Sequence, residues 1–186
     1  MAETGVVHGR FQPFHLDHLK YVLAAKEKCR SLVIGITNPD PSLTKADAAD
    51  LYRSSSEANP LTYFERYSII RAVLSDAGVD QAEFSIVPFP VNFPELYRFY
   101  VPLDAVFYLT IYDDWGKRKL NLFQSSGLRV EVLWEKPAAL KGIEAKEVRK
   151  LMANGGPWEQ LVPPAAVAVI NAMGIAARLS QKPENR

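Results

Sequence analysis

A ten-residue stretch at positions 9–18, with the sequence GRFQPFHLDH, constrains the fold of this chain more than any other segment. It follows a short apolar segment at residues 4–8, which predicts a strand, and it leads directly into an amphipathic helix that begins near Leu16. Gly9 lets the backbone turn sharply off the strand and leaves room for a ligand. The helix N-terminus offers unpaired N–H groups and the positive end of a dipole, so this junction suits an anion.

Three side chains in this stretch indicate that the anion is a phosphate. His15 and His18 are three residues apart in the first turn of the predicted helix, so their imidazoles project from the same face. Arg10 adds a permanent cation whose planar, forked donors match phosphate oxygens. The histidine pair on its own is equally compatible with a chance surface pair or with part of a metal site whose other ligands lie elsewhere. The whole stretch, at a strand-to-helix junction, favours a phosphate site.

The rest of the chain alternates strand and helix patterns. Apolar segments predict further strands at residues 31–37, 84–88, 105–110 and 129–133, and helical spacing predicts helices at residues 16–28, 62–77, 94–100, 115–125, 144–153 and 164–179. Thr62, with Glu65 three residues later, predicts a capping box, and the polar residues 38–59 predict a long loop. The expected fold is α/β: a Rossmann-like, doubly wound, mainly parallel five-stranded sheet with helices on both faces. Residues 1–186 are expected to form one domain with a frayed tail at 180–186, and the stretch 9–18 is expected to lie where the strand order reverses.

Composition narrows the class of protein. The chain has 22 Lys and Arg residues against 21 Asp and Glu residues. This near balance lacks the excess of basic residues that indicates a nucleic-acid partner. Cys29 is the only cysteine in the sequence, which excludes an internal disulfide framework and fits a reducing compartment. No apolar run approaches the roughly 20 residues of a membrane span. We therefore expect a soluble, cytoplasmic protein with no membrane partner.

Residues 9–18 resemble the GRFQPFHxGH signature of the nucleotidyltransferases that include nicotinamide-mononucleotide adenylyltransferase, especially the archaeal type. The match has one departure, because Asp17 stands where the family has glycine. The resemblance implies that His15, His18 and Arg10 are catalytic residues that contact the phosphates. It also implies a nucleotide-binding site whose members in this stretch are Gly9, Arg10, Phe11, Gln12, His15, Asp17 and His18.

A second motif, KGIEAKEVR at residues 141–149, follows the fifth predicted strand and opens a helix. It is similar to the family's pattern I-S-x-T-x-x-R, in which backbone N–H groups, hydroxyls and the arginine bind the β- and γ-phosphates. The resemblance implies that the nucleotide-binding site continues through Ile143, Lys146, Val148 and Arg149. Glu144 and Lys146 replace the two hydroxyl residues of the family, and an ordinary solvated helix explains the segment alone equally well. Its position relative to the first motif favours a cationic phosphate clamp.

Five residues near other strand ends are candidates for binding the acceptor. Asn38 and Asp40 follow the second strand and could hydrogen-bond a sugar or a ring amide, although both are also ordinary turn residues. In the resembling enzymes an aromatic residue stacks on the nicotinamide ring, and Tyr97 takes that position, although an aromatic at helical spacing is also typical of a core. Asp113 and Trp115 follow the fourth strand, where the family carries a different sequence. Asp113 and the aspartate after it could hold Mg²⁺ through water or cap the next helix.

The resemblance implies an enzyme that transfers a nucleoside monophosphate from a nucleoside triphosphate to a phosphate-bearing acceptor and releases pyrophosphate. Adenylyl transfer from ATP to nicotinamide or nicotinate mononucleotide is the first expectation, with Mg²⁺ accompanying the triphosphate. Asp17, Glu144 and Lys146 depart from the family motifs and keep two alternatives open. One is a cytidylyltransferase that uses CTP to activate a phosphonate or a phosphorylated small molecule, and the other is a non-catalytic nucleotide-binding sensor. Related enzymes are often homo-oligomers, so a second copy of the chain is among the expected partners.

Overall fold

Five parallel strands form one sheet in the computed structural model, which describes residues 1–45 and 51–181. The strands are β1 (Ala2–Gly9), β2 (Cys29–Ile36), β3 (Phe84–Pro88), β4 (Val106–Ile111) and β5 (Arg129–Glu135). Their order across the sheet is β3-β2-β1-β4-β5, and each neighbouring pair is parallel. The predicted five-stranded, doubly wound sheet is confirmed.

Helices cover both faces of this sheet. In the described ranges they are α1 (Leu16–Lys26), α2 (Tyr63–Asp76), α3 (Asp114–Ser125), α4 (Ala145–Ala153), α5 (Pro164–Ala172) and α6 (Ile175–Ser180). Successive side chains of a strand point to opposite faces. Val7 therefore packs in the core beneath α1, α2, α4, α5 and α6, whereas Val6 packs in the core beneath α3 and a 3₁₀ helix at Pro94–Phe99. The expected arrangement of helices on both faces is confirmed.

β1 and β4 separate towards their carboxyl ends. β1 pairs with β2 along its full length, but its register with β4 covers only Gly5 and Val6. The hydroxyl of Tyr21 lies in the gap, where it accepts a hydrogen bond from the backbone N–H of His8 at 3.4 Å and donates one to the carbonyl oxygen of Tyr108 at 2.6 Å. The strand order reverses between β1 and β4, so the crevice lies where doubly wound folds bind ligands.

The start of α2 follows the prediction closely. The hydroxyl of Thr62 accepts from the backbone N–H of Glu65 at 3.2 Å, and the Glu65 carboxylate accepts from the backbone N–H of Thr62 at 2.8 Å. This reciprocal pair is the predicted capping box. The Glu65 carboxylate also accepts hydrogen bonds from the two terminal guanidinium nitrogens of Arg178, which ties α6 to the first turn of α2.

The end of the chain differs from the prediction. A single helix at residues 164–179 was expected, but Gly174 has a φ of +64° and separates α5 from α6. This left-handed conformation ends a helix and costs glycine little, because glycine has no Cβ. Residues 182–186 lie outside the described residues, as does most of the predicted fraying at 180–186.

The predicted loop at residues 38–59 contains two short 3₁₀ helices, at Pro41–Leu43 and Leu51–Ser54. Residues 46–50 lie outside the described part of the chain. None of the described helices is long and apolar enough to cross a membrane.

Candidate active site

A cavity of about 380 Å³ opens at the carboxyl ends of β1 and β4, and both sequence motifs contribute to its wall. Eleven of the predicted site residues line it: Gly9, Arg10, Phe11, Gln12, His15, Asp17, His18, Asn38, Trp115, Ile143 and Lys146. Five of the predicted site residues do not: Asp40, Tyr97, Asp113, Val148 and Arg149. The structure therefore brings the two motifs together at the crevice and corrects several individual roles.

The imidazole rings of His15 and His18 stack face to face, with centroids 3.5 Å apart and an interplanar angle of 24°. The backbone N–H of His15 donates to Nδ1 of His18 at 3.3 Å. Because Nδ1 of His18 accepts this hydrogen bond, the proton of the neutral ring lies on Nε2. His18 thus presents a fixed N–H donor on the edge of the ring opposite the backbone.

Both rings are held in the neutral form at neutral pH. Burial lowers the pKa of His15 to about 4, although the nearby Asp17 and Glu144 carboxylates act in the opposite direction. Burial lowers the pKa of His18 well below its ordinary value, with smaller contributions from the neighbouring His15 and from the positive charge of Arg10. Two stacked imidazoles at this distance also disfavour a second positive charge. The pair is therefore suited to hydrogen bonding and not to carrying charge.

Gly9 and Gln12 each have a structural role that the sequence did not reveal. A Cβ on Gly9 would lie 2.8 Å from the ring of Phe11, which has a φ of +53° and contacts His18 edge-on with centroids 5.0 Å apart. Glycine at this position leaves room for the Phe11 ring, and Gly9 also lines the cavity. The buried amide of Gln12 both accepts from and donates to the backbone of Leu61, at 2.9 and 3.1 Å. Gln12 therefore anchors the segment that precedes α2.

Asp17, the departure from the family signature, connects the two motifs. Its carboxylate accepts from the backbone N–H of Ile143 at 2.7 Å and from the ammonium of Lys20 at 3.2 Å. A Cβ on Gly142 would clash with the Asp17 carboxylate, so a larger residue there would displace this contact. Although partial burial opposes ionisation, these two donors hold the pKa of Asp17 below its ordinary value. The aspartate thus takes a backbone donor that the resemblance had assigned to phosphate.

The second motif divides between the cavity and the core. Lys146 lines the cavity, with its ammonium 5.1 Å from the centroid of the Tyr52 ring. Val148 is fully buried in the hydrophobic core and does not line the cavity. The guanidinium of Arg149 is buried and donates to the carbonyl oxygen of Gln12 at 2.5 Å and to the hydroxyl of Tyr52 at 3.1 Å. Arg149 therefore joins α4 to the first motif from behind the cavity wall.

Two acceptor candidates are placed elsewhere. Asp40 is exposed and its carboxylate accepts from the backbone N–H of Ser42 and Leu43, so it caps a 3₁₀ turn. Tyr97 is 1% exposed, packs against Phe89, and donates its hydroxyl to the carbonyl oxygen of Val91. A ring enclosed in this way cannot stack on a ligand in the cavity. Both sequence interpretations are corrected in favour of turn and core.

Asp113 is a helix cap that also pairs with cations. Its carboxylate accepts from the backbone N–H of Gly116 at 2.9 Å and lies 3.7 Å from the Arg53 guanidinium and 3.6 Å from the Lys141 ammonium. Burial opposes ionisation, but these partners hold the pKa of Asp113 below its ordinary value. The cap is the alternative that the geometry supports. In the described ranges, no group of three His, Cys, Asp or Glu side chains could hold a metal ion.

The loop after β2 contributes residues that sequence reasoning missed. The carbonyl oxygen of Arg53 accepts from the Arg10 guanidinium at 3.2 Å, from the Asn38 amide at 3.2 Å and from the Asn59 amide at 2.8 Å. These three donors hold the Leu51–Ser54 turn against the cavity. The Arg53 guanidinium lies 5.4 Å from the ring centroid of Trp115. A long loop at a strand end was the only sequence signal for this contribution.

Arg66 and Lys119 were also missed. Arg66 is 1% exposed and donates to backbone carbonyl oxygens in the segments that follow β1 and β2. Lys119 lies one helical turn after Trp115 on α3, and both line the cavity. The four-residue spacing from Trp115 could have placed Lys119 on the same helix face.

Comparison with known proteins agrees with this geometry. Residues 6–149 match the cytidylyltransferase-like family. The chain is 49% identical to the phosphonoformate cytidylyltransferase of Streptomyces viridochromogenes over 179 residues, which cover 96% of each chain. It is 34% identical to the nicotinamide-nucleotide adenylyltransferase of Ignicoccus hospitalis over 182 residues, which cover 93% of this chain and 94% of that one.

Solved structures show the same fold. A bifunctional NMN adenylyltransferase/ADP ribose pyrophosphatase from Francisella tularensis superposes with a TM-score of 0.66 at 17% identity, over 96% of this chain and 52% of that chain. The chain therefore spans about half of that protein. The same protein complexed with AMP and a manganese ion superposes with a TM-score of 0.55. Given the family match and a relative 49% identical along 96% of the chain, this protein belongs to the cytidylyltransferase-like family and is a nucleotidyltransferase.

Proposed function

We propose that this enzyme transfers cytidylate from CTP to a small phosphonate and releases pyrophosphate. The relative that is 49% identical along 96% of the chain is a phosphonoformate cytidylyltransferase, which supports both substrates. The structural observation that carries the proposal is the positive charge of the cavity. Among the residues that the structure describes, six cationic ones line it, Arg10, Lys45, Arg53, Lys119, Lys141 and Lys146, against two acidic ones, Asp17 and Glu144. Such a wall suits a triphosphate together with a small acceptor that is itself strongly anionic.

The reaction is a displacement at the α-phosphorus of CTP. A phosphonate oxygen of the acceptor attacks this phosphorus, and the bond to the oxygen that bridges the α- and β-phosphates breaks. Pyrophosphate leaves with that oxygen, and the phosphonate is joined to cytidylate through a new P–O–P linkage. The attacking oxygen is already anionic, so the enzyme needs no general base. Its contribution is to position the reactants and to stabilise charge on the phosphate oxygens.

The histidine pair is proposed to donate hydrogen bonds to those oxygens. Both imidazoles are neutral, and the hydrogen bond from the His15 backbone leaves the proton of His18 on Nε2. Arg10 and Lys146 line the same cavity and supply positive charge for the β- and γ-phosphates. Arg149 acts through Gln12 and Tyr52, because its guanidinium is bonded to them and does not line the cavity.

Mg²⁺ is proposed to enter with the triphosphate. Magnesium prefers phosphate oxygens and water to a cage of protein ligands, and it would neutralise the leaving pyrophosphate. The Asp17 carboxylate, which lines the cavity, is already bonded to Ile143 and Lys20. The donor set therefore fits a metal that is carried by the nucleotide. The manganese ion in the AMP complex of the Francisella protein is consistent with this role.

Adenylyl transfer to nicotinamide mononucleotide is the competing function, because the Ignicoccus relative with that activity is 34% identical. The position of Tyr97 gives less support to this adenylyl transfer. Tyr97, which would stack on the nicotinamide ring, is enclosed in the core and bonded to Val91. The departures at Asp17, Glu144 and Lys146 lie in the cavity wall, as specificity determinants for another substrate would.

Pyrophosphate release with Mg²⁺ tests the proposal directly. CTP and ATP are each combined with phosphonoformate, nicotinamide mononucleotide and nicotinate mononucleotide. We expect CTP with phosphonoformate to be the best pair, with a kcat/KM at least about 100-fold above that of ATP with either mononucleotide, a difference of about 2.7 kcal/mol in transition-state stabilisation.

Preference for ATP with a pyridine mononucleotide would overturn the cytidylyl proposal and establish the competing function. Binding of CTP or ATP without pyrophosphate release from any pair would instead indicate a nucleotide sensor. Calorimetric titration of both nucleotides in the same buffer provides that control.

A further inference from the structure

His8 is a buried histidine in the cavity wall that has no role in the proposed reaction. It lies next to the last residue of β1 and is 5% exposed. Its backbone N–H is bonded to the hydroxyl of Tyr21, which fixes the start of the side chain. In the described part of the chain, neither Nδ1 nor Nε2 of its ring has a hydrogen-bond partner. The ring is nevertheless one of the groups that line the cavity.

The surroundings of this ring are aromatic. Its centroid lies 5.5 Å from that of Phe89 and 5.1 Å from that of Phe123. Gly35, the register partner of His8 on β2, makes room for this packing, because a Cβ there would lie 2.7 Å from Cβ of Phe89. A buried polar atom without a partner destabilises the folded state, and an apolar side chain would avoid that cost at this position. A ligand in the cavity that hydrogen-bonds to the imidazole would explain why a histidine occupies this position.

Lys119 supplies a second donor in the same wall. It extends from α3 into the cavity, and no ion pair to its ammonium occurs among the described residues. Burial lowers the pKa of Lys119 to about 8, with further contributions from the positive charges of Arg53 and Lys141, although the nearby Asp113 carboxylate acts in the opposite direction. Phe123, whose ring centroid lies 5.1 Å from that of His8, is one helical turn after Lys119 on α3, so Lys119 and His8 lie in the same part of the cavity wall. Together they form a desolvated cation beside a neutral N–H donor.

The geometry points to His8 and Lys119 as a subsite for the second acid group of the acceptor, a carboxylate that does not react. This inference rests on the proposed function, in which the phosphonate end of the acceptor faces the α-phosphate of CTP. A carboxylate offers acceptor oxygens to both the lysine ammonium and an imidazole N–H. It would accept a hydrogen bond from the protonated one of the two unpartnered His8 nitrogens and pair the Lys119 charge. The subsite would therefore select a carboxyl-bearing phosphonate over a simple alkyl phosphonate.

Calorimetric titration separates this subsite from the rest of the site. Phosphonoformate and methylphosphonate, which has a methyl group in place of the carboxylate, are titrated into the full-length protein with and without the α,β-methylene analogue of CTP. His8→Phe keeps an aromatic ring between Phe89 and Phe123, and Lys119→Met keeps the length of the side chain without its charge. Lys117→Met is the matched control, because Lys117 is exposed on the same helix and does not line the cavity.

We expect wild-type protein and Lys117→Met to bind phosphonoformate at least tenfold more tightly than methylphosphonate. In His8→Phe and Lys119→Met this preference should fall below about threefold. Thermal unfolding of each variant establishes that it is folded, and Lys119→Arg, which restores the charge, should recover most of the preference.

Equal preference in wild-type and both cavity variants, or no preference in wild-type, would overturn the subsite. The titration does not depend on turnover, so its outcome is separate from that of the proposed function. If the wild-type protein releases no pyrophosphate from CTP, the proposed reaction is wrong. If both variants nevertheless lose the carboxylate preference that the wild-type protein shows, the subsite still stands.

Discussion

At the scale of single residues, the orientation of His18 decides what the site can do. Its Nδ1 accepts the backbone N–H of His15, its ring stacks on the His15 ring, and Phe11 contacts its edge. These contacts fix both the rotamer and the tautomer. Burial keeps the ring neutral, so Nε2 retains its proton at neutral pH and can donate to a phosphate oxygen. The chemistry thus depends on a donor that is oriented before the substrate arrives.

Replacement of His18 by asparagine tests this orientation. The Asn side-chain oxygen can accept the His15 N–H as Nδ1 does, but the residue is too short to replace Nε2. We expect kcat for pyrophosphate release to fall about 100- to 1,000-fold in His18→Asn and in His18→Ala, because one donor to the developing charge is removed.

The folded state of both His18 variants is checked by thermal unfolding and by CTP binding, which should remain measurable. Unimpaired turnover in either variant would contradict the donor role of His18.

At the scale of secondary-structure elements, Arg66 joins the loops that build the site. Its guanidinium donates to the carbonyl oxygens of Arg10, Thr37, Asn38, Pro39 and Thr62, at 2.8 to 3.2 Å. These carbonyls belong to the segments after β1 and β2 and to the residue that caps α2. Burial lowers the pKa of Arg66 to about 10, so the residue stays charged at neutral pH. One side chain from α2 therefore sets the spacing of the two cavity loops.

Arg66→Lys should loosen this junction while keeping the charge. Lysine has three donors on one atom and cannot reach carbonyl oxygens in the directions of a planar fork, so several buried carbonyls lose their partner. We expect the free energy of unfolding in urea to fall by at least about 2 kcal/mol and kcat/KM to fall with it.

Arg71→Lys is the matched control for this substitution, because Arg71 is exposed on the same helix. It should change stability by less than about 0.5 kcal/mol. Equal stability of the two variants would show that the Arg66 fork does not hold the loops.

At the scale of the whole molecule, the three histidines place buried neutral groups at one edge of the sheet. Burial lowers the pKa of His8, His15 and His18, with the value for His15 at about 4. Their ordinary value is about 6.5, so between these two limits the unfolded chain binds more protons than the folded one. Their contribution to stability is therefore complete above pH 6.5 and is lost as the pH falls towards 4.

Urea unfolding at pH values from 7.5 to 5 measures this effect, in a range where carboxylates contribute little. We expect the free energy of unfolding to decrease steadily below pH 6.5. In His8→Phe one titrating group is removed, so the decrease should become shallower by up to about 1.4 kcal/mol per pH unit, the limit for one proton.

A free energy of unfolding that is constant from pH 7.5 to 5 would contradict the buried, neutral state of the three rings. An unchanged slope in His8→Phe would assign the effect to other groups.

Much of the fold followed from local signals. Apolar periodicity predicted all five strands, and the Thr62–Glu65 spacing predicted the capping box. The missed break in the last helix has an equally local cause, because Gly174 takes a left-handed conformation that a sequence permits but does not require. Helical periodicity runs across such a glycine, so the pattern alone could not distinguish one helix from two.

The sequence by itself determined the α/β class, the crevice at the end of β1 and the presence of a histidine pair there, because these depend on periodicity and on neighbours within a few residues. Only the tertiary structure decided which side chains reach the cavity. Asp17 bonds to Ile143, 126 positions away in the sequence, and Arg149 bonds to Gln12, 137 positions away. Tyr97 lies in the core, although the resemblance implied that it stacks on a ligand. These outcomes depend on how distant elements pack, and close packing leaves one geometry that no local pattern encodes.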